Sequence, residues 1–381
     1  METFICPRCG NKDPKYIGYL KGKPYCRFCI SLKGDTVNPL YKPRGSSVVL
    51  SLRYPLTEEQ EKISNQVIEN YKKGIDTLIN AVCGAGKTEL VYGVIAYALR
   101  NNLTVGFAIP RRDVASELTG RMRNAFPSAR IVLVYGGETN RLEADIVVLT
   151  THQLFRYPNF FDLLVLDEVD AFPYKGNKLL EVMFEKATRG HSVIMSATPS
   201  KDLLRKYRGP GKDILELNTR FHRHKIPVPQ IVVRNSVTKY VYLKKKIGDF
   251  LIKEKPVLIF VPTIEESEST YRFLKFFYPK GYYVNSRLER REEVISKFKK
   301  GRLKYLVTTA VLERGVTIRD LQVIIFDAHS RIYDEYSLTQ IAGRVGRKFD
   351  APDGEVIFLC EKVTEAMENS INTIKAKNTY L

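Results

Sequence analysis

A run of residues suited to holding a nucleotide's phosphates occupies positions 81–88, where the sequence reads Ala81-Val-Cys-Gly84-Ala85-Gly86-Lys87-Thr88. An apolar stretch leads into it and a helix-like stretch follows. In such a loop, backbone N–H groups hold the phosphates, the lysine reaches the β- and γ-phosphates, and the hydroxyl ligates Mg²⁺. Ala81 replaces the usual first glycine, and a chance match is the alternative. The strand–loop–helix context predicts nucleotide binding by residues 84–88.

Carboxylates follow an apolar stretch further along the chain. Leu163–Leu166 leads into Asp167-Glu168-Val169-Asp170. A carboxylate at the carboxyl end of a strand beside a phosphate loop is where Mg²⁺ needs a second protein ligand. Asp167 fits that role together with Thr88, and Glu168 fits the residue that positions or deprotonates the attacking water. A plain acidic turn is the alternative, which the phosphate loop makes the weaker interpretation.

Cysteines cluster near the amino terminus, as two C-x-x-C pairs formed by Cys6 with Cys9 and Cys26 with Cys29. This spacing is typical of a zinc ribbon or knuckle, in which four thiolates close a tetrahedral shell around a structural ion. Chance pairs or a redox pair are the alternatives. A disulfide scaffold would spread its cysteines through the chain. We predict one Zn²⁺ that holds a small module folded.

The chain is strongly basic. Its 61 Lys and Arg residues against 42 Asp and Glu give a formal net charge of +19. Such a surface favours polyanions, either nucleic acid or acidic lipid, although a merely solvated basic surface is the alternative. In the cysteine module basic residues alternate with Tyr16, Tyr19, Tyr25 and Phe28, which suits a single-stranded nucleic-acid surface or, equally, a small core.

Composition also bears on location. No apolar run approaches the roughly 18 residues of a membrane span. The first residues lack the basic and apolar regions of a signal peptide. These features predict a cytoplasmic protein without a transmembrane segment.

The elements that position these residues are predicted from the spacing of apolar side chains. Strands are predicted at 75–83, 104–109, 130–134, 146–149, 163–167 and 192–196, then, after a break near 208–229, at 256–261, 304–308, 322–326 and 355–359. Helices are predicted at 86–100, 176–189, 264–277, 288–300 and 334–348, and the tail beyond 362 is helical in pattern. The alternation predicts an α/β protein with doubly wound parallel sheets.

Three domains are predicted from these patterns. Residues 1–48 form the four-cysteine module and a linker rich in Pro, Gly and Ser. Residues 49–210 form the first α/β domain and residues 211–381 the second. The first carries the phosphate loop and the acidic cluster.

The phosphate loop, the acidic cluster and Ser196-Ala197-Thr198, in this order, resemble the motifs of a superfamily 2 helicase or nucleic-acid translocase. The resemblance implies two RecA-like motor domains, with Ser196 and Thr198 coupling hydrolysis to movement. Leu56–Gln60 resembles the adenine-reading Q motif, with Gln60 on the base. By the same resemblance, the nucleic-acid contacts are Pro110, Arg111, Thr151, Thr263 and Thr308.

The second domain contributes arginines. Gln340-Ile-Ala-Gly343-Arg344-Val-Gly346-Arg347 resembles the sixth helicase motif, which makes Gln340, Arg344 and Arg347 catalytic candidates. Arg344 and Arg347 are expected on one face of the predicted helix 334–348. Their guanidinium groups would stabilise transition-state charge on the γ-phosphate, with ATP acting as a clamp between domains. Two surface arginines are the alternative. Thr308–Thr317 resembles the fifth motif, but Thr317 stands where aspartate is usual.

The whole arrangement, a four-cysteine module before a bare two-domain motor, resembles the ComFA family of late-competence proteins. The resemblance implies an ATPase stimulated by single-stranded DNA that helps bring transforming DNA inward. It also implies a cytoplasmic protein, peripheral at the inner face of the membrane uptake channel, with a phosphoribosyltransferase-like companion. A PriA-like replication-restart helicase, an RNA helicase and a zinc-dependent DNA-binding adaptor with a weak ATPase are the alternatives.

Overall fold

The chain forms two compact units, residues 1–81 with 86–217 and residues 82–85 with 218–381. The computed structural model describes residues 4–32, 34–38, 40–43, 48–82, 84–136, 141–312 and 318–379. Within those ranges, none of the helices combines the length and the apolar composition needed to pass through a membrane.

The first unit alternates strands and helices after a small amino-terminal hairpin. Its elements in chain order are β1 (Ile17–Leu20), β2 (Lys23–Cys26), α1 (Glu58–Lys72), β3 (Asp76–Ala81), α2 (Lys87–Leu90), α3 (Tyr92–Arg100), β4 (Val105–Ile109), α4 (Arg112–Ala125), β5 (Ile131–Val134), β6 (Ile146–Thr150), β7 (Phe161–Leu166), α5 (Lys178–Ala187), β8 (Thr188–Ser196), α6 (Lys201–Tyr207) and β9 (Lys212–Leu217). A 3₁₀ segment, Thr151–Arg156, follows β6.

A parallel sheet forms the centre of this unit. In the part of the chain that the structure describes, seven strands pair in the order β5-β6-β4-β7-β8-β3-β9. The inner strands β4 and β6 are buried at every position. Strands covered on both faces read as continuous apolar runs, which is why the sequence predicted them. In a parallel sheet all carboxyl ends meet at one edge, so β3, β7 and β8 deliver their following loops to the same side.

The four-cysteine module belongs to the core of the first unit. Its cysteines pack in one apolar cluster with Leu154, Phe155 and Phe184. The backbone N–H of Val37 donates to the carbonyl of Arg156 at 2.8 Å. The module therefore rests on the 3₁₀ segment Thr151–Arg156 and on α5.

The aromatic residues of the module divide between the two predicted alternatives. Tyr16 and Phe28 are half-buried and pack together with ring centroids 5.1 Å apart. The ring of Tyr25 lies against Gly18, where an added Cβ would come within 2.5 Å of it. Tyr19, near the tip of the β1–β2 hairpin, is 70% exposed. Three of the four therefore pack within the module, and Tyr19 faces solvent.

The second unit repeats the α/β pattern. Its elements are β10 (Gln230–Val233), α7 (Thr238–Ile252), β11 (Val257–Phe260), α8 (Ile264–Phe277), β12 (Gly281–Val284), α9 (Arg291–Lys299), β13 (Tyr305–Thr308), β14 (Gln322–Phe326), α10 (Glu335–Ala342), β15 (Val356–Cys360) and α11 (Glu365–Asn378). Over the described ranges, six parallel strands pair in the order β10-β15-β14-β11-β13-β12. The predicted α/β class is confirmed for both units.

Two predicted boundaries differ from the structure. Residue 211 was predicted to begin the second domain, yet β9 pairs with β3 in the first sheet, from Asp76 opposite Lys212 to Ala81 opposite Leu217. The predicted helix 334–348 ends at Ala342. The prediction that Arg344 and Arg347 lie on one helix face is therefore wrong, and both residues lie in the turn that follows α10.

Candidate nucleotide site and metal centre

The phosphate loop has the backbone shape that its glycines allow. Gly84 and Gly86 have φ angles of +86° and +75°, a region that favours glycine. Lys87 is the first residue of α2, and Ala85 and Thr88 are buried. The five predicted nucleotide-binding residues 84–88 thus lie in the loop after β3 and at the start of α2.

Gln60 lies beside this loop. Its Oε1 accepts a hydrogen bond from the backbone N–H of Thr57 at 2.9 Å, and Thr57 Oγ1 accepts from the backbone N–H of Gln60, which closes a capping box at the start of α1. The side-chain Nε2 lies 2.6 Å from the point where a Cβ on Gly86 would stand. The structure therefore brings the residue predicted to read adenine into contact range of the loop.

The acidic cluster stands at the carboxyl end of β7. Asp167 is buried, and its Oδ1 accepts from the backbone N–H of Glu168 at 2.8 Å. Burial raises the pKa of Asp167 to about 6, while the positive charge of Lys87 opposes that rise. Lys87 and Asp167 are thus close enough to interact.

Glu168 has a strained backbone. Its φ is +58°, in a region that residues with a Cβ enter only when the surrounding structure imposes it. This conformation lies just beyond the end of β7, directly after Asp167. Nothing in the sequence signalled this conformation.

Asp170 connects the acidic cluster to the Ser196–Thr198 segment at the end of β8. Its Oδ1 accepts from Ser196 Oγ at 3.0 Å and its Oδ2 from Thr198 Oγ1 at 2.8 Å. Ser196 Oγ in turn accepts from the backbone N–H of Thr198 at 3.0 Å. Sequence reasoning assigned no role to Asp170, although its place in the acidic cluster was available as a signal.

The catalytic candidates of the second unit lie at the end of α10. Gln340 and Arg344 are buried, and Arg347 is half-buried. Arg347 Nε donates to the carbonyl of Gly343 at 3.0 Å, and Gly346 turns the chain with a φ of +68°. The three residues are thus presented by a helix end and a tight turn.

The predicted nucleic-acid contacts fall into two groups. Arg111 is half-exposed at the start of α4 and Thr263 is exposed at the start of α8. Pro110, Thr151 and Thr308 are buried. Thr308 Oγ1 donates to the carbonyl of Val284 at 2.9 Å, so this hydroxyl is engaged inside the second unit. Residues 313–317 of the predicted fifth motif lie outside the described residues.

The four cysteines converge. Their sulfur atoms all lie within 4.8 Å of one another, with Cys6 and Cys29 at 3.7 Å and Cys9 and Cys26 at 3.6 Å. Four sulfurs about 2.3 Å from one tetrahedral ion stand about 3.8 Å apart, so this donor set fits zinc. Burial raises the pKa of the Cys9 thiol to about 11, and ion binding would therefore have to displace protons.

Comparison with known proteins agrees with this geometry. Residues 53–201 match the family "Type III restriction enzyme, res subunit", and residues 239–349 match "Helicase conserved C-terminal domain". Dbp5 of Saccharomyces cerevisiae, solved with RNA and ADP BeF3, has a TM-score of 0.62 at 19% identity, covering 86% of this chain and 92% of that one. The helicase Lhr of Mycobacterium smegmatis, solved with ssDNA and AMP-PNP, has a TM-score of 0.65 at 15% identity, covering 84% and 50%.

Fold and site together define an enzyme of the superfamily 2 helicase type, an ATPase that uses ATP and Mg²⁺. The competence protein ComFA of Bacillus subtilis (strain 168) is 36% identical, over 99% of this chain and 86% of the relative. ComFA of Streptococcus pneumoniae (strain R6) is 33% identical, over 98% and 90%. The chain belongs to the ComFA family of competence proteins.

Proposed function

We propose that this protein is an ATP-driven DNA translocase whose ATPase activity is stimulated by single-stranded DNA, and that it acts in the uptake of transforming DNA. The observation that carries the proposal is the acidic segment 167–170, which begins at the buried Asp167 near Lys87, where phosphates would bind, and ends at Asp170, whose carboxylate accepts from the hydroxyls of Ser196 and Thr198. A change in phosphate occupancy beside Asp167 would reach Ser196 and Thr198 through this connection, along the segment and then through the two hydrogen bonds of Asp170. A silent ATPase fold would have no need of it.

Each residue of the site has a proposed task. Lys87 and the loop of residues 84–88 hold the phosphates, and Gln60 reads the adenine. Thr88 and Asp167 would hold Mg²⁺, which neutralises phosphate charge when bound. Glu168 orients or deprotonates the attacking water. Gln340, Arg344 and Arg347 serve the transition state, where positive charge beside the γ-phosphate stabilises its negative charge and lowers the barrier.

The four cysteines are proposed to bind one Zn²⁺ as a structural ion. Four thiolates fill a tetrahedral shell, so no position is left for a reactive water. Because the cysteines pack with Leu154 and Phe155, the ion would stabilise the 3₁₀ segment as well as the module itself.

The partners are proposed from the family. They are single-stranded DNA, a phosphoribosyltransferase-like companion protein and the membrane channel for DNA uptake, which would place the protein in the cytoplasm at the inner face of the membrane. The net charge of +19 supports a polyanionic partner. Arg111, half-exposed at the start of α4, is the candidate phosphate contact in the first unit.

Steady-state ATP hydrolysis tests the proposal. The purified protein is assayed alone and with single-stranded DNA, duplex DNA or single-stranded RNA, and Lys87→Ala serves as the inactive control. Strong stimulation by single-stranded DNA alone is expected. Stimulation of hydrolysis by RNA would indicate an RNA helicase. Stimulation that requires duplex DNA would favour a replication-restart helicase. An absence of hydrolysis with every ligand would favour the DNA-binding adaptor.

A further inference from the structure

A buried arginine holds the turn that carries Arg344 and Arg347. Arg220 follows β9 in the segment that the sequence indicated was only a connection, yet its side chain is 1% exposed. Its Nη1 donates to the carbonyls of Val345 at 3.0 Å and Gly346 at 2.9 Å, and its Nη2 donates to the carbonyl of Gly343 at 3.1 Å. One guanidinium group thus binds three carbonyl oxygens of one turn.

These carbonyls lie in a buried turn just beyond the end of a helix. α10 ends at Ala342, and Gly343, Val345 and Gly346 follow it and are buried. A buried backbone carbonyl without a hydrogen-bond donor is unfavourable. The five N–H donors of an arginine, fixed in one plane, suit several carbonyls at once, whereas a lysine offers a single ammonium centre.

His222 adds a second donor to the same turn. Its Nδ1 accepts from the backbone N–H of His224 at 3.1 Å, which leaves the proton on Nε2, and Nε2 donates to the carbonyl of Gly346 at 2.9 Å. Burial, followed by the charge of Arg220, lowers the pKa of His222, so the ring is neutral near pH 7. Gly346 therefore receives two hydrogen bonds from the 220–222 segment.

Close packing also fixes Gly346. A Cβ on Gly346 would stand 1.9 Å from the carbonyl oxygen of Pro352 and 3.2 Å from Arg220 Nη1. The turn is therefore held by Pro352 as well as by Arg220 and His222. Its position is set by contacts within the second unit.

The link to catalysis runs through Gly343. Its carbonyl accepts from Arg220 Nη2 at 3.1 Å and from Arg347 Nε at 3.0 Å. Arg220 fixes the carbonyl, and the carbonyl fixes the guanidinium group of Arg347. A displacement of this oxygen would move Arg347 by a comparable distance.

We infer that Arg220 and His222 are positioning residues for ATP hydrolysis, which hold the turn of Gly343–Arg347 so that Arg344 and Arg347 meet the transition state. The inference rests on the proposed catalytic role of those two arginines. A misplacement of about 1 Å costs roughly 100-fold in rate when an effect depends on geometry. Arg220 also packs against the phosphate loop, because its Nε, Cγ and Cδ lie 3.6, 3.7 and 3.8 Å from where a Cβ on Gly84 would stand. Lysine keeps the aliphatic part of that contact, so the KM for ATP should change little in Arg220→Lys.

The first experiment compares Arg220→Lys, His222→Leu and His222→Gln with the unchanged protein. Lys225→Ala, which alters an exposed cation of the same segment, is the matched control. We expect kcat to fall at least tenfold in Arg220→Lys and His222→Leu, with the KM for ATP within twofold. His222→Gln keeps an N–H donor near the Nε2 position and should recover much of the loss. Circular dichroism checks that each variant folds.

A double-mutant cycle separates positioning from general stability. In an Arg347→Lys background, Arg220→Lys should cost much less than in the unchanged protein, since the two residues act through one carbonyl. Additive losses, or a folded Arg220→Lys variant with unchanged kcat, would overturn the inference. So would a rise in KM that matches the loss in kcat.

The proposed function can fail separately. Normal hydrolysis by Arg344→Ala and Arg347→Ala variants would remove the catalytic role of the arginines themselves. Loss of hydrolysis in those variants, together with normal hydrolysis by the Arg220→Lys variant, would support the proposed function and contradict only the positioning role of Arg220.

Discussion

Glu168 combines a strained backbone with the position expected of the group that activates water. A φ of +58° at a glutamate costs free energy, and such residues cluster where function imposes the geometry. We predict that Glu168→Gln, which keeps the shape and removes the charge, lowers kcat about 10²- to 10⁴-fold. Steady-state ATPase assays measure the effect. Glu185→Gln, on the exposed face of α5, is the isosteric control, and an active Glu168→Gln variant would remove the proposed role.

Ser196 and Thr198 allow a test of coupling that leaves the hydrolytic groups intact. Replacing both with alanine removes the two hydroxyl donors to Asp170. We expect hydrolysis without DNA to stay within about threefold, because Lys87, Asp167 and Glu168 are untouched, and stimulation by single-stranded DNA to be largely lost. The ratio of the two rates is the measurement. Ser269→Ala, at an exposed site on α8, controls for the loss of a hydroxyl, and full stimulation in the double variant would refute the connection.

At the scale of elements, a strand or helix could be predicted from the sequence where neighbouring residues determine it. β4 and β6 are buried on both faces, so their apolar runs are continuous and visible in the sequence. β12 was missed because Gly281–Val284 is a short edge strand of mixed exposure. β8 was predicted to begin late, because it starts at Thr188 directly after α5 without any turn signal.

The end of α10 shows why part of the site could not be predicted. The helix stops at Ala342, and Gly343 and Gly346 are local signs of that end. The donors that hold the next turn come from Arg220 and His222, more than 120 positions away in sequence, and no local pattern of residues 334–348 contains them. By contrast, the phosphate loop and the acidic cluster are local in sequence, and their residues were found with their neighbours.

The amino-terminal module makes a prediction about metal removal. Its four sulfurs share a cluster with Leu154 and Phe155, so losing the ion should loosen the first unit as well as the hairpin. We predict one zinc ion per chain and, for Cys26→Ser, loss of the ion with a fall in the melting temperature of about 10 °C or more. Elemental analysis and thermal unfolding are the measurements.

Cys360→Ser is the control for this prediction, since Cys360 is buried in the second sheet and is not one of the four clustered cysteines. That variant should keep its zinc. Full zinc content in Cys26→Ser, or no zinc in the unchanged protein purified without chelator, would contradict the assignment.

At the scale of the whole molecule, charge is the property that composition predicts most directly. An excess of 19 positive charges attracts any polyanion, whereas a track for DNA requires particular cations close to phosphates. Binding to phosphates releases condensed counterions, and for single strands the logarithm of the binding constant falls with the logarithm of salt concentration by about 0.7 per phosphate contact. The slope therefore counts contacts, while net charge alone does not.

We predict a slope steeper than about −2 for binding to single-stranded DNA, which corresponds to three or more phosphate contacts. Arg111→Ala should make it shallower by about 0.7, because Arg111 stands half-exposed at the start of α4 where one phosphate contact is proposed. Arg205→Ala removes the same charge from an exposed arginine on α6 that pairs with Asp202, so it should leave the slope unchanged. Equal effects of the two substitutions would mean that net charge, and not a defined track, holds the DNA. A binding constant that does not change with salt concentration would show that phosphate contacts do not contribute to DNA binding.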